Sequence, residues 1–328
     1  MAKKKATKLK SLSQGRPPTV KPLRSISSKA TRTLIRTHHT LEKQKAKALA
    51  DGDDAKAAVI AKQIESRGGI QSYQKASLTG QTNERGGDSS KILMEWLEKP
   101  VAALLKDQAA KGQPARLLEV GALSVGNACS RSKLFEVERI DLNSQAEGIK
   151  QQDFMERPIP LEDQDRFDVI SLSLVLNYVP DPAGRGEMLL RTLRFLRAVT
   201  PSEGLEEIFP SLFLVLPAPC VVNSRYLDEA KLETIMKSLG YVQVKKKLSN
   251  KLVYYLWRMN SVKPVRTIPF KKEELRPGGA RNNFAIVLKG GQKLKMLRHD
   301  EDVGGTGIHR MEFGVLFFQA GIFLPVKS

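Results

Sequence analysis

Cysteine and histidine are scarce in this chain of 328 residues. The two cysteines, Cys129 and Cys220, lie far apart in sequence and in predicted regular elements, so no disulfide framework is indicated. Four histidines are present, and the adjacent pair His38 and His39 cannot share one face of a helix. We therefore expect no metal site.

A long hydrophobic run is also missing. The longest apolar stretch, residues 313–326, spans 14 residues and is interrupted by Gln319, two glycines and Pro325. A helix that crosses a bilayer needs about 20 apolar residues. The amino terminus is rich in lysine and has no apolar segment behind it, unlike a secretory signal. We expect a soluble, intracellular protein without membrane association.

Acidic residues are almost absent from the first fifty positions, which hold fourteen Lys or Arg and one acid, Glu42. The whole chain carries 54 basic and 35 acidic residues, a net charge of +19, which predicts a polyanionic partner. A like-charge run is commonly a flexible, solvated arm. It can also bind RNA phosphates by releasing counterions, with strong salt dependence. The basic run at Lys3–Lys5 is compatible with nuclear import.

Changes in composition divide the chain into regions. Between residues 31 and 66 an apolar stripe, broken at Asp51–Asp54, predicts two helices joined by a turn. The Gly-, Ser- and Gln-rich residues 68–81 predict irregular structure. Four regions are expected: a disordered basic tail (1–30), a helical extension with a Gly/Gln-rich connector (31–112), a Rossmann-like core (113–290) and a carboxyl-terminal tail of uncertain structure (291–328).

Alternating strands and helices in the core predict an α/β fold with a parallel sheet and a ligand site at the carboxyl ends of its strands. The predicted strands are residues 117–120, 136–142, a short segment ending at 153–154, 167–173 and 211–216, followed by an antiparallel pair, 242–247 and 252–259, and an edge strand, 283–288. Predicted helices are residues 89–105, 184–198 and 227–239.

The most informative motif is the stretch from Arg116 to Asn127, in which an apolar run ends at an acid and a glycine. Gly121 lets the backbone approach a ligand closely, and Asp141, twenty residues on, is placed to accept both ribose hydroxyls. A phosphate-binding Gly-x-Gly-x-x-Gly motif would need glycine at position 123, which is leucine. The pattern therefore favours S-adenosylmethionine over a dinucleotide; the alternative is an ordinary strand-turn-helix.

Three acids, Glu119, Asp141 and Asp153, fall at the first three predicted strand ends. In a methyltransferase they would divide the cofactor among them. Glu119 would hold the methionine ammonium group through water, Asp141 the ribose and Asp153 the adenine amine, with Phe154 against the base. Alternatively, they cap the helices that follow.

Six segments resemble the fungal large-subunit (25S) rRNA adenine-N(1)-methyltransferase family over roughly residues 30–290: GGIQSYQKASLTGQ, RGGDSSK, RLLEVGALSVGN, RIDLN, QQDFMERPIP and FDVISLSLVLNYVPDP. The resemblance implies a class I S-adenosylmethionine-dependent methyltransferase in the nucleus and nucleolus, acting on N1 of an adenine in large-subunit rRNA or the pre-ribosome. Its cofactor-binding glycine and aspartate match Gly121 and Asp141. Animal relatives of the family are S-adenosylmethionine sensors, so a non-catalytic sensor is an alternative function. Methylation of protein is a third.

N1 of adenine has an available lone pair, so the enzyme must chiefly align it with the methyl group. We place the catalytic candidates Ser173, Asn177 and Tyr178 at the end of the fourth strand. Asn177 would accept a hydrogen bond from the adenine amine, and Tyr178 would stack on the base. Alternatively, Asn177 caps the turn and Tyr178 packs beneath the loop. Residues 85–88, with the Gln-rich segment before them, are either a lid over the cofactor or a connector between the helical extension and the core. The sequence does not indicate an oligomeric state.

Overall fold

The computed structural model describes residues 28–80, 87–97, 100, 114–144, 146–198, 208–260 and 268–290. The expected disordered tail therefore lies outside the described residues up to position 27, and the carboxyl-terminal tail, 291–328, lies outside them entirely. The expected helix at 89–105 is described over residues 90–97, here called α4. No helix in these described ranges is long and apolar enough to span a membrane.

The core is one seven-stranded sheet, as described here, with the strand order β3-β2-β1-β4-β5-β7-β6. Strands β1 to β5 run parallel, and β7 pairs antiparallel with both β5 and β6. This is the class I methyltransferase fold that the sequence predicts. The strands are β1 Arg116–Val120, β2 Glu136–Asp141, β3 Lys150–Gln151, β4 Val169–Ser173, β5 Ser211–Pro217, β6 Tyr241–Leu248 and β7 Leu252–Met259.

Strand register brings the predicted ligand-binding residues to one edge of the sheet. Val120 at the end of β1 lies opposite Ile140 of β2 and Leu172 of β4. The residues that directly follow these positions, Gly121, Asp141 and Ser173, therefore emerge together at the carboxyl ends of the parallel strands.

Helices cover both faces of the sheet and bury two apolar clusters. On one face, α6 (Pro182–Phe195) and α8 (Glu229–Ser238) pack on the larger cluster, which includes Trp257. On the other face, α4 contributes Leu93 and Leu97, which are fully buried. Two short helices, α5 (Ala128–Arg131) and α7 (Pro219–Val222), follow β1 and β5.

Where two helices were expected at 31–66, the described residues 28–80 form three helices: α1 (Ser28–Ala50), α2 (Asp54–Ser66) and α3 (Gly69–Gly80). Asp53 caps α2 by accepting a hydrogen bond from the Lys56 N–H at 3.0 Å. The prediction of irregular structure at 68–81 was wrong because contacts with α1 and α2 outweigh the low helix propensity of glycine and serine. Ala76 of α3, for example, is completely buried.

The predicted edge strand at 283–288 was also wrong. Within the described residues this segment makes only an isolated bridge, between Phe270 and Leu288, and β6 occupies the sheet edge instead. Its backbone binds α6: the Val287 N–H donates to Pro182 O at 2.9 Å, and the Arg185 guanidinium donates to Ala285 O at 2.6 Å. The apolar run of the segment thus serves packing on a helix rather than sheet pairing.

Candidate functional site

A cavity of about 1100 Å³ opens at the carboxyl ends of the parallel strands. This is where ligands bind in open α/β sheets. The cavity is lined by residues at the strand ends, by residues of α1 and by the β6–β7 turn. Six of the residues singled out from the sequence line it: Gly121, Asp141, Asp153, Phe154, Ser173 and Tyr178.

Gly121 forms the sharp turn at the end of β1. Its φ of +73° lies in the left-handed region that favours glycine, and its N–H donates to Ile140 O at 2.8 Å. A Cβ at this position would lie 2.7 Å from Cγ2 of Val175. The missing side chain therefore leaves backbone and space directly at the cavity wall.

Asp141 lies at the end of β2, half-buried. Its Oδ1 accepts a hydrogen bond from the Asn143 N–H at 2.8 Å, which holds the carboxylate in place. Burial raises the pKa of this group, and the hydrogen bond from Asn143 lowers it. Oδ2 accepts no hydrogen bond from the side chains and backbone described here, so it can accept one from a ligand hydroxyl.

Asp153 and Phe154 follow the short strand β3. Oδ1 of Asp153 accepts from the Met155 N–H at 2.7 Å. Phe154 is only 2% exposed, and its ring lies 5.1 Å from that of Phe195, between ring centroids. Phe154 thus belongs to the core as well as to the cavity wall. Contact of Asp153 and Phe154 with a base stays a prediction.

Glu119 lies beneath this wall rather than in it. It is 8% exposed, and Oε1 accepts a hydrogen bond from Nδ2 of Asn127 at 2.5 Å. Burial raises the pKa of Glu119 to about 7, with a further contribution from Asp88. The side chain is directed at Asn127 and Cys129, so its contact with a cofactor ammonium group also stays a prediction.

Asp88, which the sequence placed only in a segment expected to be a lid or a connector, holds the loop after β1. One oxygen accepts hydrogen bonds from the N–H and hydroxyl of Ser90 at 2.9 and 2.6 Å, capping α4. The other accepts from the Ala128 N–H at 2.5 Å, at the start of α5. Next to it, the Ser89 hydroxyl lies 2.7 Å from that of Ser173. The RGGDSSK block, residues 85–91, was the sequence signal that could have placed Asp88 at this loop. Gly87 lines the cavity, and residues 81–86 lie outside the described residues.

The turn after β4 carries backbone strain and an unpaired polar atom. Leu174 adopts a φ of +58°, which costs a non-glycine residue roughly 1–3 kcal/mol. Oδ1 of Asn177 is buried and has no hydrogen-bond partner in the described part of the chain. Asn177 is not among the residues that line the cavity as described. A buried acceptor of this kind is costly unless a ligand donor reaches it.

Tyr178 contacts the helical extension. Its ring stacks on that of His39 in α1, with centroids 4.1 Å apart. Burial, together with the charges of His38 and Lys43, lowers the pKa of His39 to about 3, so this ring is neutral at physiological pH. An adenine can stack on Tyr178 only on its other face or after α1 shifts. That role of Tyr178 stays a prediction.

Sequence reasoning missed the contribution of distant segments to the cavity. Helix α1 supplies His39, Lys43 and Lys45, and the turn between β6 and β7 supplies residues 249–251. The basic character of α1 was visible in the sequence, but its position over the strand ends was not. Nothing in the local pattern of the β6–β7 pair marks its turn as part of a site.

The arrangement fits a nucleoside-type cofactor. Gly121 leaves backbone without a side chain at the wall, and Asp141 presents a free carboxylate oxygen about one strand spacing away. The volume is that of a pocket for a cofactor and part of a second ligand. Within the described ranges, no group of three or more His, Cys, Asp or Glu could hold a metal ion.

Comparison with known proteins gives a consistent set of relatives. The family model described as 25S rRNA (adenine(2142)-N(1))-methyltransferase, Bmt2, matches residues 58–286. The 25S rRNA adenine-N(1) methyltransferase of Schizosaccharomyces pombe is 42% identical over 254 residues, covering 77% of this chain and 89% of that protein. The 25S rRNA (adenine(2142)-N(1))-methyltransferase of Saccharomyces cerevisiae is 41% identical over 230 residues, covering 70% of this chain and 63% of that protein.

Solved structures are more distant. The 1,6-didemethyltoxoflavin-N1-methyltransferase of Burkholderia thailandensis, with bound S-adenosylhomocysteine, has a TM-score of 0.37 and 15% identity, covering 57% of this chain and 87% of that chain. An O-methyltransferase family protein from the same organism has a TM-score of 0.37 and 10% identity, covering 72% of this chain and 74% of that chain.

Proposed function

The chain belongs to the 25S rRNA (adenine(2142)-N(1))-methyltransferase family, and on this basis we propose that it methylates N1 of an adenine in large-subunit rRNA, using S-adenosylmethionine. The observation that carries the proposal is the pairing of Gly121 and Asp141 at the wall of one large cavity. The family model covers both residues.

Gly121 and Asp141 would hold the cofactor. The Gly121 backbone would approach it without a side chain in the way, and Oδ2 of Asp141 would accept from the ribose hydroxyls. Asp153 would accept from the adenine amine, and Phe154 would contact the ring. When bound, S-adenosylmethionine supplies an activated methyl group to a nucleophilic nitrogen.

The protein contributes alignment rather than a strong base, because N1 of adenine already carries the nucleophilic lone pair. Correct alignment alone supplies about 7–11 kcal/mol of the barrier reduction. The methylated base is positively charged until the amine at position 6 loses a proton. Asn177 Oδ1 is a buried acceptor without a described partner and lies outside the described cavity lining. It would hold that amine and stabilise the developing charge once a shift of the turn after β4 brings it to the base. Ser173, at the β4 end, would line the base site.

Large-subunit rRNA as the substrate also accounts for the charge of the chain. A net +19, with the basic excess concentrated in the first fifty residues, supplies phosphate affinity that a cofactor sensor or a protein methyltransferase does not need. We place the reaction in the nucleolus, on the pre-ribosome, where large-subunit rRNA is assembled. Imaging of a fluorescently tagged full-length chain tests this; exclusion from the nucleus would contradict it.

Methyl transfer from labelled S-adenosylmethionine to unmodified large-subunit rRNA, mapped by reverse transcription, tests the activity. A methyl group on N1 blocks the Watson–Crick edge, so the modified adenine arrests the polymerase. We expect one new stop with the wild-type chain and none with Asp141→Ala. Asp88→Ala is not a suitable control, because Asp88 orders the loop after β1. Glu136→Ala is the suitable control, because Glu136 lies at an exposed position of β2.

The same experiment separates the alternatives. Tight cofactor binding without any methylated RNA would support the S-adenosylmethionine sensor and overturn the enzyme. Label that appears in added ribosomal protein rather than in RNA would indicate a protein methyltransferase.

A further inference from the structure

We propose that six lysines beside the cavity, here called the lysine rim, bind the phosphates of the RNA strand that presents the target adenine. This inference rests on the proposed function. The lysine rim consists of Lys43, Lys45, Lys245, Lys246, Lys247 and Lys251.

Strand β6 brings three of these lysines to the cavity side of the sheet. β6 runs antiparallel to β7, and β7 runs antiparallel to β5, so β6 points in the same direction as the parallel strands. Lys245 to Lys247 lie near the carboxyl end of β6 and are exposed. The turn that follows, residues 249–251, lines the cavity itself. β6 therefore ends beside the cavity mouth, with Lys246 on the face of the sheet that α8 covers and Lys247 on the face that α4 covers.

Helix α1 brings two further lysines to the same cavity. Lys43 and Lys45 both line it, as does Lys251 from the β6–β7 turn. The cavity lining therefore carries cations from two separate elements. An RNA strand that inserts a base into the cavity must carry its flanking phosphates past these side chains.

Two acids pair with lysines of the rim: Lys247 lies 3.3 Å from Glu95 of α4, and Lys246 forms an ion pair with Glu229 of α8. Three further acids, Glu42, Asp141 and Asp153, line the cavity, and the two aspartates would hold the cofactor in the proposed function. The two ion pairs are partly exposed to solvent and hence weak, so phosphate groups can replace the carboxylates.

Lysines on an edge strand also have a simpler use, because they prevent pairing with another sheet. Such protection explains charges on β6 and the bulge between Gln243 and Lys245. It does not explain Lys43, Lys45 and Lys251, which are not on the edge strand but line the cavity. The position of Lys43, Lys45 and Lys251 in the cavity lining, with three more lysines on the strand that leads to Lys251, is what favours a phosphate-binding surface.

The test compares two full-length triple variants with the same loss of charge. The first is Lys245→Gln/Lys246→Gln/Lys247→Gln. The second, a matched control, is Lys133→Gln/Arg194→Gln/Lys237→Gln, whose exposed side chains lie near the start of β2 and the ends of α6 and α8, at the opposite edge of the sheet. Binding to an unmodified large-subunit rRNA fragment is measured by fluorescence anisotropy over a range of salt concentrations, with S-adenosylmethionine affinity and thermal melting measured in parallel.

We expect the first variant to bind RNA about tenfold or more weakly at 150 mM salt. We also expect the magnitude of the slope of log K against log salt to fall by about 2, because each of the three lost phosphate contacts contributes about 0.7–0.9 to it. Cofactor affinity and melting temperature should match the wild type, and the control variant should change RNA binding much less. Equal weakening in both variants, or none in either, would overturn the lysine rim. A wild-type chain that binds no RNA would overturn it as well.

The outcome is distinguishable from failure of the proposed function. If the wild-type chain methylates no RNA but the first variant still loses RNA affinity selectively, the lysine rim stands and the activity does not. If the wild type methylates rRNA and the first variant does so with unchanged KM for RNA, the activity stands and the rim does not.

An additional double variant, Glu95→Gln/Glu229→Gln, tests whether the two ion pairs compete with RNA phosphates for Lys246 and Lys247. Removing the competing carboxylates frees Lys246 and Lys247, so RNA affinity should rise roughly two- to fivefold. Lysines that served only to protect the sheet edge would leave RNA affinity unchanged in this variant, which would contradict the proposal.

Discussion

Gly121 is the residue at which backbone geometry and ligand access coincide. Gly121→Ala forces an L-residue to a φ of +73° and brings its Cβ to 2.7 Å from Val175 Cγ2. We expect a loss of about 1–2 kcal/mol in the free energy of unfolding, and weaker S-adenosylmethionine binding. Urea denaturation and calorimetric titration measure the two effects.

The double variant Gly121→Ala/Val175→Ala is the control for this prediction, because it removes the side-chain contact and keeps the backbone strain. If Gly121→Ala has the stability and cofactor affinity of the wild type, the turn does not need glycine and the cofactor does not approach it closely.

The raised pKa of Glu119 in β1 makes the stability of the folded chain depend on pH. Its pKa in the folded chain is about 7, against an ordinary value of 4.5, so the native state binds a proton that the unfolded chain has released. The stability that Glu119 contributes is therefore full below about pH 4.5 and is lost as pH rises through 7. The loss is about 3 kcal/mol.

Glu119→Gln should flatten this pH dependence, because the amide is neutral at every pH. We expect the variant to gain stability over the wild type between pH 5 and pH 8 in urea denaturation. Glu136→Gln, at an exposed position of β2, is the charge-matched control and should keep the wild-type profile. A wild-type stability that does not fall over this range would show that Glu119 is ionised without cost.

Substitution of Asn177 should affect the rate of methyl transfer without affecting cofactor binding. Asn177→Ala removes the buried Oδ1 but no atom that lines the cofactor cavity. We expect kcat for rRNA methylation to fall about 10²-fold, as with loss of one aligned polar contact, while S-adenosylmethionine affinity is unchanged. Equal loss of both would mean that Asn177 only shapes the turn.

Helix α6 packs so closely on the segment 283–288 that glycine is required in its first half. A Cβ at Gly186 would lie 1.9 Å from Val287 O, a backbone atom that cannot move aside alone. Alanine gains helix propensity, yet we expect Gly186→Ala to destabilise the chain by about 1–3 kcal/mol in urea denaturation. Gly279→Ala, where nothing lies within 4 Å of the added Cβ, should be near neutral. Equal stability of the two variants would contradict the packing.

Over the whole molecule, the charge should set the salt dependence of RNA binding. The first 27 residues hold eight Lys or Arg and no acid. Replacing these eight residues with glutamine keeps the length of the chain. We expect the slope of log K against log salt to fall by about 0.7–0.9 for each residue that contacts a phosphate. KM for rRNA should rise while kcat stays close to the wild-type value.

Anisotropy at several salt concentrations measures this slope. An unchanged slope would show that these basic residues do not contact the RNA, and would leave phosphate binding to the rest of the chain.

Most of the sheet and the position of its site could be predicted from the sequence. The strand ends at Gly121 and Ser173 follow a local rule, because β1 and β4 are mostly apolar runs closed by a glycine or a polar residue. Asp141 closes β2, which carries only two apolar residues, Val137 and Ile140. A parallel sheet then brings those ends to one edge wherever the helices lie. The family resemblance also depends only on short segments of sequence, which is why it could be stated before any coordinates.

Contacts between distant segments could not be predicted in this way. Gly69–Gly80 form α3, against which two other helices pack, and residues 283–288 lie on α6 while β6 takes the sheet edge. The stacking of His39 on Tyr178 joins residues 139 positions apart. The hydrogen bond from the Ala128 N–H of α5 to Asp88 joins residues 40 positions apart. Hydrophobic periodicity indicates which face of an element is buried, but not which other element packs against that face. The local sequence by itself therefore determines the strands, the glycine turn and the acids that follow them, but not their distant partners. Long-range packing determines what closes the cavity above them.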